Sequence, residues 1–77
     1  MLPIEIKKRN SQRFEKKILS CYPAIKETSK RICKNSFKGE DLTQETYLRA
    51  WVARTRYKDE NVEAWLFRIM LNLFINQ

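Results

Sequence analysis

The chain has 77 residues and no histidine, and its sixteen Lys and Arg outnumber nine Asp and Glu, which gives a formal net charge of +7. A chain of this length forms one small domain that buries only about 60% of its unfolded surface, so we expect a partner to contribute to its stability. The charge favours an anionic partner, either nucleic acid or an acidic protein surface. We expect neither an enzyme nor a cofactor, because the sequence holds no metal-ligand cluster and no Gly-rich phosphate loop.

The two cysteines indicate a reducing compartment. Cys21 and Cys33 lie twelve residues apart, about 18 Å along the helix predicted below, so they cannot bridge without unfolding it. No apolar run approaches the roughly 20 residues of a membrane span, and the N-terminus lacks the order of a signal peptide. We expect a cytoplasmic protein without a membrane partner.

The N-terminal segment, residues 1–12, has two equally good interpretations. Leu2, Ile4 and Ile6 alternate like a short strand, whereas one helical turn after Pro3 fits as well. From residue 13 a helical pattern begins, with Ser11 as its candidate cap. Its apolar positions, at spacings of three, four and seven, are Phe14, Ile18, Tyr22, Ile25 and Ile32.

Pro23 should kink this helix or divide it into two segments. The helix is predicted to end in "KNSFKG", where Asn35, Ser36 and Gly39 are turn formers. A second helix is predicted from about Glu40 to about Arg56.

A third helix is predicted after the loop "YKDEN", capped by Asp59 or Asn61. Its expected core stripe is Val62, Trp65, Leu66, Ile69 and Leu73. The side opposite this stripe is apolar too, through Phe67, Met70, Leu71 and Phe74. We therefore predict an all-α fold, a compact bundle of three main helices over residues 13–77, and expect it to be part of a longer polypeptide because the chain stops inside a helix.

The basic residues are concentrated in the first half of the chain. Up to Lys38 there are eleven Lys and Arg against three Glu, whereas from Gly39 onward there are five against six acids. Whether the early basic residues are simply solvated or contact DNA or another protein stays open.

The stretch "DLTQETYLRAW" divides into two faces at 100° per residue. One face combines acids, an amide and aliphatic residues, namely Asp41, Gln44, Glu45, Leu48 and Val52. The other is the expected core side, with Thr43, Thr46, Tyr47, Ala50, Trp51 and Arg54. The first face is typical either of a protein-binding patch or of a solvated helix start.

The predicted third helix carries one polar stripe, formed by Trp65, Arg68, Asn72 and Asn76. Such a stripe is either the solvated side or a binding surface.

Two motifs resemble region 2 of bacterial sigma factors, in the extracytoplasmic-function (ECF) group. They are "GEDLTQETYLRAW" and "AWLFRIMLNLFINQ". In the first motif the matching residues are Asp41, Leu42, Gln44, Glu45, Leu48, Ala50 and Trp51. In the second they are Trp65, Leu66, Arg68, Ile69 and Asn72. The segment "RFEKKILSCYPAIKETSKRI" is similar to the helix that precedes them in the family.

The resemblance implies a transcription initiation factor with two partners, core RNA polymerase and single-stranded promoter DNA. Asp41, Gln44, Glu45 and Leu48 would dock on the clamp helices of the largest polymerase subunit. The non-template strand of the promoter -10 element would be held by Arg56, Tyr57, Lys58, Asp59, Asn61, Trp65, Arg68, Asn72 and Asn76. Asn72 would meet the flipped base and Arg68 a phosphate, while Trp65 would line the site from the core.

The resemblance also implies an anti-sigma factor as a partner and a monomer when isolated. The chain departs from the family in a shorter, acidic loop after Tyr57, so the family's base preference cannot be transferred. The family's linker and second DNA-binding domain do not follow in this sequence. Two alternatives stay open, namely a basic protein-interaction module without a nucleic-acid role and a helical domain that binds duplex DNA.

Overall fold

The computed structural model describes residues 13–58 and 61–76, and these residues form helices joined by short turns, with no strand among them. Residues 13–20 are helical and are named α1. They are followed by α2 (Tyr22–Cys33), α3 (Ser36–Val52), a short 3₁₀ helix (Arg54–Arg56) and α4 (Val62–Ile75). The predicted all-α class is confirmed. The expectations for residues 1–12, including the Ser11 cap, lie outside the described residues.

Pro23 divides the first predicted helix instead of only bending it. It occupies the first turn of α2, where its missing N–H leaves no helical hydrogen bond unmade. Cys21 forms the turn, with its N–H 3.2 Å from the carbonyl oxygen of Ile18. The Cys21 thiol is buried and that of Cys33 is half-buried, and both are free.

The predicted start of the second helix was wrong, because α3 begins at Ser36 and not at Glu40. Lys34 ends α2 in the left-handed conformation at φ 55°. The side chain of Asn35 then accepts a hydrogen bond of 3.0 Å from the N–H of Lys38, which satisfies a donor of the first turn of α3. Gly39 was predicted in a turn, but it lies buried inside α3.

Gly39 allows α3 to approach α2 closely. A Cβ atom at this position would lie 2.6 Å from the Cα of Lys30 and 2.9 Å from its backbone nitrogen. Only a residue without a side chain fits between these two helices at this distance.

The cap predicted for the last helix is confirmed at Asn61, whose side chain accepts a hydrogen bond of 3.1 Å from the N–H of Ala64. Asp59, the other candidate cap, lies outside the described residues. At the other end of the connection, α3 stops at Val52 and the chain tightens into the 3₁₀ helix, so the predicted continuation to Arg56 was only partly right.

The core lies where α2, α3 and α4 meet, and α1 covers one end of it. Its buried apolar residues are Phe14, Ile18, Cys21, Ile25, Leu42, Ala50, Trp65, Leu66 and Met70. Met70, predicted on the opposite side of α4, is fully buried and accepts a hydrogen bond of 3.1 Å from Ser29 through its sulfur. Leu66 and Met70, one turn apart, therefore define the buried side of α4.

Several residues predicted in the core are more exposed than expected. Tyr22 is 38% exposed, and Ile32, Tyr47 and Val62 are half-buried. Ile69 and Leu73 are only partly buried, because they lie at the edge of α4 and line its groove with α3. Trp51 is 37% exposed, with the Phe14 ring of α1 at a centroid distance of 6.4 Å from its indole. Arg54 lies in the 3₁₀ helix, where its guanidinium stacks 4.4 Å above the Trp51 ring and donates to the Trp51 carbonyl.

Buried hydroxyls on α3 are satisfied within the helix. Thr43 donates to the carbonyl of Gly39 at 2.8 Å, and Thr46 donates to that of Leu42 at 2.7 Å. These internal bonds let polar residues face the core at a low cost in free energy.

Over residues 13–58 and 61–76, none of the helices combines the length and apolar character that a bilayer crossing requires.

Candidate protein and nucleic-acid interfaces

The outward side of α3 presents the four residues predicted to dock on a protein. Asp41, Gln44, Glu45 and Leu48 are all exposed, and Leu48 is 59% exposed despite its apolar side chain. The predicted separation of this stretch into an exposed and a buried side is thus confirmed for these four residues. Their binding role stays a prediction. We call these four residues the docking face.

The docking face is acidic within a basic protein. Glu45 forms one ion pair on it, with the Nε of Arg49 at 3.5 Å. Both partners are exposed, so this pair contributes little to stability and leaves Glu45 accessible. Glu40 and Asp41 are exposed nearby, so acidic groups outnumber basic ones on this side of α3.

A groove between α4 and the end of α3 brings together several residues of the predicted DNA site. Its volume is about 710 Å³, and its lining comprises Arg49, Val52, Ala53, Thr55, Arg56, Ile69, Asn72, Leu73 and Asn76. Arg56, Asn72 and Asn76 were predicted. Arg49 and Thr55 were missed, because α3 ends at Val52 and Arg56 lies in the 3₁₀ helix that follows.

A second, smaller groove of about 460 Å³ adjoins the docking face and is lined by Lys38, Asp41, Leu42, Glu45, Leu73 and Asn76. Leu73 and Asn76 line both grooves. The acidic surface of α3 therefore continues directly into the amide-bearing side of α4.

Tyr57 and Trp65 lie in an aromatic cluster and not in the groove. Their ring centroids are 5.3 Å apart, and the Phe14 ring lies 5.5 Å from Tyr57 and 5.7 Å from Trp65. Trp65 is buried, as expected for a residue that lines a site from the core. The ammonium of Lys17 lies 5.7 Å from the centroid of the half-buried Tyr57 ring. These contacts with Phe14, Trp65 and Lys17 hold the Tyr57 ring in place from one side.

The remaining residues of the predicted DNA site are less closely grouped. Lys58 and Arg68 are exposed but line neither groove, and Asp59 lies outside the described residues. The amide oxygen of Asn61 already accepts the capping hydrogen bond of α4, so a further contact would use its amide nitrogen or the second lone pair of that oxygen. Within the described ranges, no cluster of His, Cys, Asp or Glu could hold a metal ion.

Comparison with known proteins identifies the family of this chain. The Sigma-70 region 2 family matches residues 18–77, most of the chain. The ECF RNA polymerase sigma factor SigE of Mycolicibacterium smegmatis is 41% identical over 46 residues, 60% of this chain and 18% of that protein. The ECF RNA polymerase sigma factor SigM of Bacillus subtilis is 40% identical over 43 residues, 56% of this chain and 26% of that protein.

The chain therefore corresponds to a minor part of each relative's length. No solved structure matches it at a significant level. Since the family match covers the helices that carry both candidate interfaces, the chain belongs to the Sigma-70 region 2 family, as a region 2 domain of the ECF group.

Proposed function

We propose that this domain acts in transcription initiation, in the cytoplasm, by docking on core RNA polymerase through α3 and holding single-stranded promoter DNA against α4. The observation that carries the proposal is the exposed acidic docking face beside the groove lined by arginines and asparagines. The two surfaces differ in charge, so one domain can bind a basic protein and an anionic strand together.

The docking partner is the coiled coil of clamp helices in the largest polymerase subunit, which presents basic residues in this family. Asp41 and Glu45 would steer the encounter through their carboxylates, and Gln44 would add hydrogen bonds. Leu48, 59% exposed, would provide the apolar burial that charges at a rim do not supply. An anti-sigma factor would act by covering the same face.

The strand would follow the groove between α3 and α4. Arg49 and Arg56 supply guanidinium groups for phosphates, which fix position but carry little sequence information. Asn72 offers an amide that can donate to and accept from the edge of an unstacked base. The half-buried Tyr57, packed on Trp65, would form an aromatic wall near the end of this path.

The groove favours single-stranded over duplex DNA. A helix that reads a duplex exposes a polar and basic face to the major groove. Arg68 is the one basic residue of α4, and much of the rest of that helix is apolar. This composition suits contacts with unstacked bases better than insertion into a duplex.

The docking proposal is tested with Glu45→Lys. The matched control is Glu27→Lys on α2, because Glu27 is also exposed and also pairs with an arginine four residues later, at 3.2 Å. Core polymerase is titrated against each fluorescently labelled variant. Glu45→Lys should weaken binding about tenfold, a loss of about 1.4 kcal/mol. Glu27→Lys should bind with the affinity of the parent chain, and both variants should keep its helical circular dichroism spectrum. Equal affinity of the two variants would contradict docking through this face.

A further inference from the structure

Phe37 is the most exposed large apolar residue among those described, with 81% of its surface accessible. The sequence pattern did not place it on a helix, because α3 was predicted to begin at about Glu40, three residues after Phe37. Phe37 lies in the first turn of α3 but has no part in capping that helix, since the side chain of Asn35 provides the cap. The buried side of α3 runs through Gly39, Leu42 and Thr43, away from this ring.

Phe37 lies on the same side of α3 as the docking face. Phe37, Asp41, Gln44 and Leu48 are separated by four, three and four residues. At 100° per residue, these four positions fall within an arc of about 60°. Spacings of four and three are those of a helix that packs lengthwise against another helix.

We propose that Phe37 is a second apolar anchor of the polymerase interface, at the N-terminal end of α3. The proposal rests on the proposed function and extends its docking face by one helical turn. Phe37 and Leu48 are eleven residues apart, about 16 Å along the helix axis. The partner surface should therefore offer two apolar positions at this separation, on either side of its basic residues.

Charge selects a basic helical surface as the occupant. Between the two apolar side chains α3 exposes three acids, Glu40, Asp41 and Glu45, against one lysine, Lys38. This excess of negative charge would repel the phosphates of a nucleic acid. It complements a basic coiled coil, such as the clamp helices of the proposed function. Apolar and aromatic side chains that lose all contact with water dominate the energy of such interfaces, which gives Phe37 a larger expected effect than the charges around it.

The test compares Phe37→Ala with Ile75→Ala in the 77-residue chain. Ile75 is a matched control because it is 73% exposed but lies on α4, outside the docking face. In titrations with core polymerase, Phe37→Ala should weaken binding by a factor of ten or more, whereas Ile75→Ala should bind like the parent chain. Thermal unfolding should be unchanged in both variants, because neither side chain is buried.

The outcome separates this inference from the proposed function. If Glu45→Lys weakens binding and Phe37→Ala stays within twofold of the parent, the anchor is wrong and docking through α3 stands. If neither variant changes affinity, both are wrong.

A photo-crosslinker reports the contact directly. Phe37→p-benzoylphenylalanine should crosslink to the largest polymerase subunit on irradiation, and Ile75→p-benzoylphenylalanine should not. Crosslinking from position 37 to another subunit, or to none, would overturn the anchor.

Discussion

The hydroxyl of Tyr47 donates a hydrogen bond of 2.5 Å to the carbonyl oxygen of Ile18, which lies twenty-nine residues earlier in the chain. That carbonyl belongs to the break between α1 and α2, where it also receives the N–H of Cys21. The Tyr47 ring packs on Tyr22, with centroids 5.4 Å apart. The core side of α3 is thus fixed to the helix break that Pro23 creates, on the side opposite the docking face.

Tyr47→Phe should lower the free energy of unfolding by about 1 kcal/mol, because it removes this hydrogen bond and keeps the ring packing. Urea denaturation monitored by circular dichroism measures the loss. Tyr22→Phe is the control, since Tyr22 is 38% exposed and its hydroxyl should contribute less than about 0.5 kcal/mol. Equal losses for the two variants would argue against a specific role of the bond to Ile18.

The same residue predicts a dependence on alkaline pH. Burial, with smaller contributions from Cys21 and Tyr22, raises the pKa of Tyr47 above its usual 10.0. Below pH 10 the hydroxyl is protonated in both the folded and the unfolded state, so its contribution to stability is complete. Above pH 10 the unfolded state loses this proton first, and the free energy of unfolding falls as pH rises.

One such group lowers the free energy of unfolding by at most about 1.4 kcal/mol per pH unit, and the partial exposure of Tyr47 makes the expected slope smaller. Urea denaturation between pH 9 and 11 should therefore show a shallower decline in Tyr47→Phe than in the parent chain. Parallel declines would show that other groups cause the alkaline loss.

Gly39→Ala should destabilise the fold although alanine is the better helix former. Alanine gains roughly 1 kcal/mol of helix propensity, but its Cβ would lie 2.6 Å from the Cα of Lys30. Backbone atoms cannot give way as a flexible side chain can, and overpacking of this kind costs about 1–3 kcal/mol. We expect a net loss of about 1 kcal/mol by urea denaturation. Glu40→Ala, at the exposed neighbouring position, should change stability little, and a Gly39→Ala variant more stable than the parent would refute the close approach.

Asn72→Ala should reduce discrimination among single-stranded oligonucleotides that differ at one base. Asn72 is exposed in the groove, so its truncation should leave the fold intact. Fluorescence titration of labelled single strands measures affinity and base preference, and the matched control is Gln44→Ala, another exposed amide, on the docking face. Arg56→Ala should instead weaken binding to all sequences alike and make the affinity less dependent on salt concentration. Unchanged base preference in Asn72→Ala would rule out edge reading by this amide.

The exposed and buried sides of α3 were predictable because helical periodicity alone sorts Thr43 and Thr46 from Gln44 and Glu45. The start of α3 was not predictable in the same way. Gly39 in "SFKG" is typical of a turn, and its actual role depends on how closely α2 approaches. Local sequence does not encode that distance, and Phe37 was missed for the same reason.

The groove was also only partly predictable. Periodicity placed Asn72 and Asn76 on one side of α4, but which side of that helix is buried depends on contacts from α2. Ser29, whose hydroxyl meets the sulfur of Met70, carries no sequence signal for such a contact. Arg49 joins the groove only because α3 ends at Val52 and the chain turns back.

Asn61 combines a structural and a proposed DNA-binding role, and two substitutions separate them. Asn61→Ala removes the hydrogen bond to the N–H of Ala64 and should cost about 1 kcal/mol of stability, which would weaken binding indirectly. Asn61→Asp keeps the cap acceptor and suits the positive end of the helix dipole, so stability should be retained. Its new charge would repel a strand that passes this residue.

The matched control is Asn35→Asp, which adds the same charge at the same kind of cap on α3, where the side chain accepts from Lys38. If the strand passes Asn61, Asn61→Asp should bind single strands several-fold more weakly than Asn35→Asp in titrations at fixed salt, with equal thermal stability. Equal affinities would restrict Asn61 to capping α4. The strand would then contact α4 only from its later turns, because the capping bond at Asn61 and the groove at Asn72 and Asn76 lie at different ends of that helix.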